Sequence, residues 1–281
     1  MTDDIAVIGG GTMGVGIAYV AALAGRRVHV VEPDATRAAI MARTVETTLA
    51  GAVSRGKLDA DAAEATAARV VRVETMKAIP EGLALIVESV PERLDLKRDV
   101  LSSASAKSPQ LLATNTSAMS IDVLAESVRD PSTFLGLHFF NPVWSIKLLE
   151  IVQGAATSSD ALAQARTFGK AIGKETITVR DVPGFATSRL DFAASLEAIR
   201  MLEDGVASAD DIDRAAVLAY RHPVGPLRLS DIVGLDVRLE VARALEAAHG
   251  PRFAPPAMLA KMVAEGRLGA KSGHGFFDWP A

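Results

Sequence analysis

The chain has 281 residues, 49% of them hydrophobic and 23% charged, which is enough for one large domain or two of ordinary size. Thirty Lys and Arg residues are interleaved with 34 Asp and Glu residues, and the resulting net charge of −4 argues against a general nucleic-acid binder. The absence of cysteine excludes disulfides, thiolate zinc sites and cysteine nucleophiles.

The amino terminus, MTDDIAVIGG, enters an apolar run without a basic segment or a cleavage-like site. No apolar stretch approaches the roughly 20 residues that a helix needs to cross a bilayer. We therefore expect a soluble, cytoplasmic protein that binds neither membrane nor nucleic acid. The His, Asp and Glu residues show no metal-ligand spacing, so we expect no metal.

Short apolar runs alternate with helical patterns through the first half of the chain. The runs are rich in Val, Ile and Leu and predict buried strands at residues 5–10, 27–32, 83–89, 110–117 and 134–140. Helices are predicted between them at residues 12–24, 34–55, 59–69, 94–107 and 120–128. This alternation predicts a parallel sheet with helices on both faces.

The pattern changes near residue 133. The runs FLGLHFF and IKLLEIV are too close together for a helical crossover, so we interpret them as antiparallel neighbours. Pro183 and Gly184 then interrupt the pattern, and the remainder is helical until a final strand-like GFFDW. The predicted helices there are 186–204, 208–219, 226–249 and 255–265. The predicted fold class is therefore α/β, with an α/β domain at residues 1–183 followed by a smaller all-α domain at 184–281.

A glycine motif lies between the first strand and the first helix. The segment AVIGGGTMGVGIA contains Gly9-x-Gly11-x-x-Gly14. Gly9 allows the tight turn, Gly11 lets the backbone approach a pyrophosphate, and Gly14 lets the helix pack on the strand. The alternative is a glycine-rich turn with no ligand. The residues predicted to bind the dinucleotide at this motif are Gly9, Gly10, Gly11, Thr12, Met13 and Gly14.

An acidic residue, Glu32, ends the second predicted strand, where a carboxylate would accept hydrogen bonds from the adenine-ribose hydroxyls. A carboxylate at that position repels a 2′-phosphate. The segment EPDAT has no Arg or Lys immediately after Glu32 to compensate. The sequence therefore favours NAD over NADP as the cofactor.

A histidine, His138, lies inside the apolar segment GLHFFNPVWSIKLLEI, and Glu150 follows twelve residues later. A lone histidine in such a run is more often a hydrogen-bonded core residue than a catalytic one. Two adjacent antiparallel strands could place His138 and Glu150 opposite each other. From the residues alone, both interpretations stay open.

Further motifs follow the glycine motif in order: NTS (115–117), GLHFFNP (136–142), KLLEIV (147–152), DVPGF (181–185), HPVGPLRLSDIVGLD (222–236) and KSGHGFFDW (271–279). Over essentially its whole length the chain resembles the L-3-hydroxyacyl-CoA dehydrogenases, in the short single-function form typified by 3-hydroxybutyryl-CoA dehydrogenase. The resemblance implies a Rossmann-type NAD-binding domain and a helical domain that dimerises, with the substrate in the cleft between them. It also implies an NAD-dependent enzyme of fatty acid metabolism that interconverts L-3-hydroxyacyl-CoA and 3-oxoacyl-CoA.

The same resemblance implies the catalytic residues. His138 is expected to be the general base or acid, Glu150 its partner, and Ser117 the residue that bonds the substrate oxygen and holds the nicotinamide. Histidine exchanges protons near neutral pH, and a buried imidazolium is tolerated when a carboxylate pairs with it. Ser188 stands where relatives commonly carry an asparagine that points into the active site. We expect Ser188 to retune substrate position without abolishing the chemistry.

The resemblance also implies the remaining residues that contact NAD and coenzyme A. Glu92, Lys97 and Lys271 match positions that contact NAD in relatives. Thr48 and Arg55, seven residues apart and on one face of the second helix, match positions that bind coenzyme A, as does Ser117. The alternative for each is an ordinary solvent-exposed position.

Two other functions stay open. A sugar-acid dehydrogenase of the gulonate type would share the NAD domain and the His–Glu pair, and the fold could also serve a non-catalytic NAD-binding protein. The HPVGPLRLSDIVGLD segment favours the acyl-CoA branch, and the presence of Ser117, His138 and Glu150 argues against a non-catalytic role. The apolar helices of residues 186–249, together with the habit of the family, predict a homodimer.

Overall fold

The computed structural model describes residues 3–280, which divide into two compact units between Val182 and Pro183. The division lies one residue before the domain boundary expected from the sequence. Among the described residues, the structure contains no helix with the length and apolar character required to span a bilayer.

In the first unit, the described residues form an eight-stranded sheet. Its strands are β1 (Ile5–Ile8), β2 (Val28–Val31), β3 (Val70–Val73), β4 (Leu85–Glu88), β5 (Leu111–Thr114), β6 (Phe134–His138), β7 (Leu148–Gln153) and β8 (Glu175–Arg180). Their order is β3-β2-β1-β4-β5-β6-β7-β8. Neighbouring strands are parallel except for the antiparallel pair β6 and β7. The parallel strands and the antiparallel pair confirm the sequence prediction, which gave no strand order.

The helices of this unit are α1 (Thr12–Leu23), α2 (Ala35–Ser54), α3 (Ala60–Arg69), α4 (Leu94–Ser105), α5 (Ile121–Ala125) and α6 (Ser159–Ala171). Several begin at a capping side chain, because the first N–H groups of a helix need an acceptor. Asp34 accepts the N–H of Arg37 at 2.8 Å, and Asp59 accepts the N–H of Ala62 at 2.7 Å. The central strands are buried and apolar, as in β1, where every residue is at most 4% exposed.

The strand order reverses direction between β1 and β4, as it does in doubly wound sheets. Ligands of such sheets bind outside the carboxyl ends of the strands at this point. The topology therefore predicts a ligand site at the residues that follow β1, β2, β4 and β5.

Three elements of the first unit are missing from the sequence prediction. β3 follows α3 directly, without a glycine or proline to separate them, and its residues are only half-buried. β8 pairs with β7 alone, and four of its six residues are exposed, so it has little apolar signal. α6 lies in the connection between β7 and β8. The sequence prediction also extends β5 to residue 117, whereas the strand ends at Thr114.

The second unit is helical over its described residues. Its helices are α7 (Thr187–Glu203), α8 (Ala209–Tyr220), α9 (Pro226–Val233), α10 (Leu235–His249) and α11 (Ala257–Ala264). The single helix predicted over 226–249 is wrong, because Gly234 has φ +106° and separates α9 from α10. The predicted terminal strand is also wrong: GFFDW makes only isolated bridges. Its backbone is held by the buried Asp231 carboxylate, which accepts the N–H groups of Phe276 and Phe277.

Candidate active site

The glycine loop between β1 and α1 requires glycine at specific positions. Gly9 has φ +107°, and a Cβ placed on it would lie 2.6 Å from the Ser89 carbonyl oxygen. A Cβ on Gly14 would overlap the carbonyl oxygen of Gly9, since helix and loop approach closely there. Both positions therefore exclude larger residues for the reasons that the motif predicts.

The carboxylate of Glu32, directly after β2, faces this loop and is 4% exposed. Its Oε2 accepts the N–H of Gly10 at 3.1 Å, and its Oε1 accepts the N–H of Asp34 at 3.0 Å. Oε1 also accepts the Nε–H of Arg37 at 3.2 Å. Arg37 is a cation that the sequence prediction missed, because that prediction considered only the residues immediately after Glu32. The available signal was its place five residues on, in the first turn of the following helix.

A cavity of about 1040 Å³ opens at the carboxyl ends of the strands. Its lining includes Gly9, Gly11, Glu32, Ser117 and His138. A Cβ on Gly11 would meet no atom within 4 Å, so the backbone there borders open space. The volume, the bare glycine backbone and the acid after β2 fit a dinucleotide. Thr12 and Met13, predicted to bind the dinucleotide, lie in the first turn of α1 and line this cavity.

His138 and Glu150 are direct partners across the antiparallel pair of β6 and β7. His138 Nδ1 lies 2.9 Å from Glu150 Oε2, with Glu150 fully buried and His138 7% exposed. The ring of Phe140 lies 4.3 Å from that of His138, centroid to centroid. The sequence left a structural histidine open as an alternative, but this histidine lines the cavity. It can therefore exchange a proton with a molecule bound there.

Ser117 is exposed in the turn after β5 and borders the same cavity. Glu92 fixes this turn, since its Oε1 accepts the N–H of Ser117 at 2.8 Å and the Thr116 hydroxyl at 2.9 Å. The Ser117 hydroxyl lies 3.3 Å from the same oxygen. The structure thus brings two predicted site residues, Glu92 and Ser117, into direct contact.

Lys97 is placed differently from the other predicted cofactor residues. Its side chain has no exposed surface, and Nζ lies 2.9 and 3.0 Å from the two carboxylate oxygens of Glu88. Nζ also lies 3.3 Å from Glu92 Oε2, while Glu88 Oε2 accepts the Thr114 hydroxyl at 2.6 Å. Lys97 therefore supports Glu92 from behind and does not line the cavity. Sequence reasoning missed Glu88, although an acid ending the apolar run LALIVE was a usable signal.

The loop that joins β6 to β7 is fixed by Lys174, another residue that sequence reasoning missed. Its buried ammonium group donates to the carbonyl oxygens of Val143 and Ile146, the latter at 2.5 Å. Burial lowers the pKa of Lys174 below its ordinary value. Val143 packs so closely on α1 that a Cβ on Gly16 would lie 2.7 Å from its Cγ2. The loop between β6 and β7 thereby packs against the helix that follows the glycine motif.

Thr48 and Arg55, predicted to bind coenzyme A, lie on α2 and at its carboxyl end. Thr48 is half-buried, and its hydroxyl donates to the Thr44 carbonyl at 2.7 Å. Arg55 is exposed, and its guanidinium folds over Gly51. Neither residue lines the cavity described above.

Ser188 and Lys271 belong to the second unit. Ser188 is half-buried in the first turn of α7. Lys271 is exposed, and its Nζ lies 2.5 and 2.6 Å from the carboxylate oxygens of Asp236. The hydrogen bond from Lys271 lowers the pKa of Asp236. In this unit, then, the predicted cofactor lysine is held by a carboxylate.

Comparison with known protein families agrees with the geometry. Residues 4–182 match the family described as "3-hydroxyacyl-CoA dehydrogenase, NAD binding domain". Residues 184–279 match the one described as "3-hydroxyacyl-CoA dehydrogenase, C-terminal domain". Together these two matches cover nearly the whole chain.

Individual relatives give the same result. The chain is 36% identical to 3-hydroxybutyryl-CoA dehydrogenase of Mycobacterium tuberculosis, over 98% of each protein. It is 37% identical to 3-hydroxyadipyl-CoA dehydrogenase of Escherichia coli over 99% of its own residues, but it spans only 59% of the length of that relative. The crystal structure of (S)-3-hydroxybutyryl-CoA dehydrogenase from Ralstonia eutropha superposes with a TM-score of 0.95 at 32% identity, over 100% of both chains. The chain therefore belongs to the 3-hydroxyacyl-CoA dehydrogenase family of NAD-dependent oxidoreductases.

Proposed function

We propose that the chain oxidises L-3-hydroxyacyl-CoA to 3-oxoacyl-CoA with NAD and catalyses the reverse reduction. The observation that carries the proposal is the buried His138–Glu150 pair on the wall of the same cavity as the glycine loop. A proton acceptor and a dinucleotide cradle in one cavity meet the two requirements for oxidising a secondary alcohol. The acyl-CoA substrate class comes from the names of the relatives.

A bound NAD would supply the hydride acceptor for oxidation of the hydroxyl-bearing carbon of the substrate. On the protein side, the N-terminal amides of α1 and the open backbone at Gly11 would hold the pyrophosphate. Glu32 would hold the adenine ribose. The uncapped start of α1 after Gly11 leaves the positive end of the helix dipole directed at that position.

His138 takes the hydroxyl proton during oxidation and returns it during reduction. Because Nδ1 faces Glu150, we assign the exchange to Nε2. The resulting imidazolium is enclosed by protein, and a buried cation is costly unless a carboxylate pairs with it. The fully buried Glu150 supplies that charge at 2.9 Å and fixes the ring orientation.

Ser117 would bond the substrate oxygen from the turn after β5. Its position depends on Glu92, which binds both the N–H and the hydroxyl of Ser117. Lys97 and Glu88 hold Glu92 in turn, so we infer that Lys97 serves NAD binding indirectly. Thr48 and Arg55 remain proposed coenzyme A contacts, and Ser188 and Lys271 remain proposed contacts of the second unit.

The first experiment measures the loss of NADH absorbance with acetoacetyl-CoA, with parallel reactions containing NADPH or CoA-free acetoacetate. Turnover with only the NADH and CoA-ester combination is the expected result. A gulonate-type sugar acid, tested with NAD by the gain of NADH absorbance, should give no reaction. Turnover of the free acid or the sugar acid at a comparable rate would replace the acyl-CoA proposal with the sugar-acid alternative. NADH binding without turnover of any of these substrates would favour a non-catalytic NAD-binding protein.

A homodimer formed through the second unit remains part of the proposal. Its helices expose large apolar side chains, among them Leu190 at 72%, Leu218 at 71% and Tyr220 at 76%. Such exposure is typical of surfaces that another chain covers. Light scattering after size exclusion should give twice the mass of one chain, and Leu190→Glu should shift it toward the monomer. A wild-type mass of one chain would contradict this part of the proposal. A cytoplasmic location stays a prediction.

A further inference from the structure

The carboxylate of Asp231 is a buried acceptor for three N–H donors near the C-terminus. Asp231 lies on α9 and has no exposed surface. Its Oδ1 accepts the N–H of Phe276 at 3.0 Å, and its Oδ2 accepts the N–H of Phe277 and the indole N–H of Trp279, both at 2.9 Å. Hydrogen bonds to a charged acceptor are stronger than those between neutral groups. Asp231 therefore fixes the segment after Gly275 to α9.

Two glycines that flank Lys271 in the sequence also pack against Asp231. A Cβ on Gly269 would lie 2.3 Å from the backbone carbonyl oxygen of Asp231, and one on Gly275 would lie 2.1 Å from its Oδ1. Close approach therefore requires glycine at both positions, and Gly269 in addition has φ +89°. Lys271 lies between these two contacts. Asp231 thus holds both ends of the loop of residues 269–275.

Backbone hydrogen bonds fix the same loop internally. The N–H of Gly269 donates to the carbonyl oxygen of His274 at 3.0 Å, which closes the loop. Arg267 Nη2 donates to the carbonyl oxygen of Gly275 at 2.7 Å. The position of Lys271 is therefore set by the backbone of a closed loop that Asp231 attaches to α9.

The ammonium group of Lys271 is held but remains accessible. Its Nζ lies 2.5 and 2.6 Å from the two carboxylate oxygens of Asp236, while the Lys271 side chain is 45% exposed. A Cβ on Gly234 would lie 3.1 Å from Nζ, so the ammonium group sits over the turn between α9 and α10. An ammonium group has three N–H donors, so it can bind Asp236 and a ligand oxygen together.

We propose that Asp231 is a positioning residue for cofactor binding, which places the loop of residues 269–275 so that the Lys271 ammonium group can bind NAD. Asp231 is fully buried, so it acts through the loop and Lys271. A carboxylate is required because its side-chain partners are all donors, and an amide would direct an NH₂ group at one or more of them. The proposal rests on the proposed contact of Lys271 with NAD.

The test measures NADH binding by calorimetry, so that neither acyl-CoA nor turnover is needed. The variants are Asp231→Asn, Lys271→Met and the double variant. Lys271→Met should weaken NADH binding about tenfold, as expected for one hydrogen bond from a charged group. Asp231→Asn should weaken it at least about threefold. The double variant should bind NADH no more weakly than Lys271→Met, because the effect of Asp231 passes through that lysine.

The matched control is Asp213→Asn, at a second buried carboxylate of the same unit. Asp213 accepts the N–H of Leu227 at 2.8 Å and the N–H of Arg228 at 2.9 Å, at the start of α9. Its substitution should destabilise the same helix but leave NADH affinity within about twofold. This comparison separates the positioning of Lys271 from a general loss of stability.

Trp279→Phe is a milder variant that removes only the indole donor to Asp231. It should weaken NADH binding about twofold in the wild-type background and not at all in the Lys271→Met background. Circular dichroism verifies folding, and if Asp231→Asn does not fold, Trp279→Phe decides the question. Wild-type affinity in Asp231→Asn, a loss that adds in full to that of Lys271→Met, or an equal loss in Asp213→Asn overturns the proposal.

Failure of this proposal and failure of the proposed reaction are distinguishable. If acetoacetyl-CoA is not reduced but the two substitutions are non-additive as expected, the positioning role holds and the reaction is wrong. If acetoacetyl-CoA is reduced with NADH and Lys271→Met binds NADH as wild type does, the reaction holds and this proposal is wrong. If wild type does not bind NADH, both are wrong.

Discussion

His138 on β6 and Glu150 on β7 face each other across the antiparallel strand pair, and their side chains meet at 2.9 Å between Nδ1 and Oε2. The two residues are joined by a loop that is anchored by Lys174, directly before β8. Strand register therefore sets the contact between His138 and Glu150. Four predictions test this arrangement and the buried Lys97–Glu88 pair, which contacts Glu92 next to Ser117.

His138→Gln should lower kcat by about 10²–10⁴-fold, the range that a positioned general acid or base contributes. Glutamine cannot take up a proton, yet it preserves a polar side chain on the cavity wall. NADH affinity, measured by fluorescence titration, should remain within about twofold because the glycine loop and Glu32 are untouched. His222→Gln, at an exposed histidine of the second unit, is the control. Unchanged turnover in His138→Gln would remove His138 from the mechanism.

Glu150→Gln should reduce kcat in both reaction directions, because the neutral amide no longer compensates the imidazolium that forms or is consumed. A lost counter-charge in a buried pair costs several kcal/mol, so a decrease of about 10²-fold or more is expected. KM for acetoacetyl-CoA should change far less than kcat, since Glu150 is fully buried behind His138. A loss confined to KM would contradict the assigned role.

Lys97→Met should lower the free energy of unfolding by about 3–5 kcal/mol, because it leaves the fully buried Glu88 carboxylate without its cation. Glu88→Leu combined with Lys97→Met should recover part of the loss, since both charges are then absent. Urea unfolding of the single and double variants measures this coupling.

The matched control is Arg98→Met on the same helix α4, where Arg98 forms a more exposed ion pair with Glu126 at the end of α5. It should cost no more than about 1 kcal/mol. Equal costs for Lys97→Met and Arg98→Met would show that the Glu88–Lys97 pair contributes no more than a surface pair.

Lys174→Met should change how stability depends on pH. Burial lowers the pKa of Lys174 from 10.5, so in the alkaline range below 10.5 the folded chain binds fewer protons than the unfolded chain. The unfolding free energy of wild type should therefore rise relative to Lys174→Met as pH increases through the lowered pKa toward 10.5. The slope for one proton is at most about 1.4 kcal/mol per pH unit.

Urea unfolding at a series of alkaline pH values measures this difference. Lys170→Met, at an exposed lysine in the last turn of α6, provides the control and should run parallel to wild type. A difference between wild type and Lys174→Met that is constant with pH would mean that Lys174 is not buried as a charged group.

Most of the fold of the first unit, and its glycine loop, can be predicted from the sequence alone. Period-two and period-3.6 patterns together with glycine and proline breaks are local signals, and they predict most strands and helices of the first unit. They also predict the glycine loop, because its steric requirements involve atoms only a few residues apart, as between Gly9 and Gly14. The short connection between two apolar runs was enough to predict antiparallel strands, whereas the pairing of His138 with Glu150 was one of two interpretations that the residues alone left open.

The tertiary structure alone decided the contacts between residues distant in sequence or lacking a local pattern. Lys174 holds carbonyl groups about thirty residues away, at Val143 and Ile146, and nothing in the sequence near it indicates this. Lys97 looks like an exposed helix lysine, but α4 packs it onto the Glu88 carboxylate at the end of β4. Periodicity reports which face of an element is apolar, whereas the partner of a buried charge depends on which elements the fold brings together.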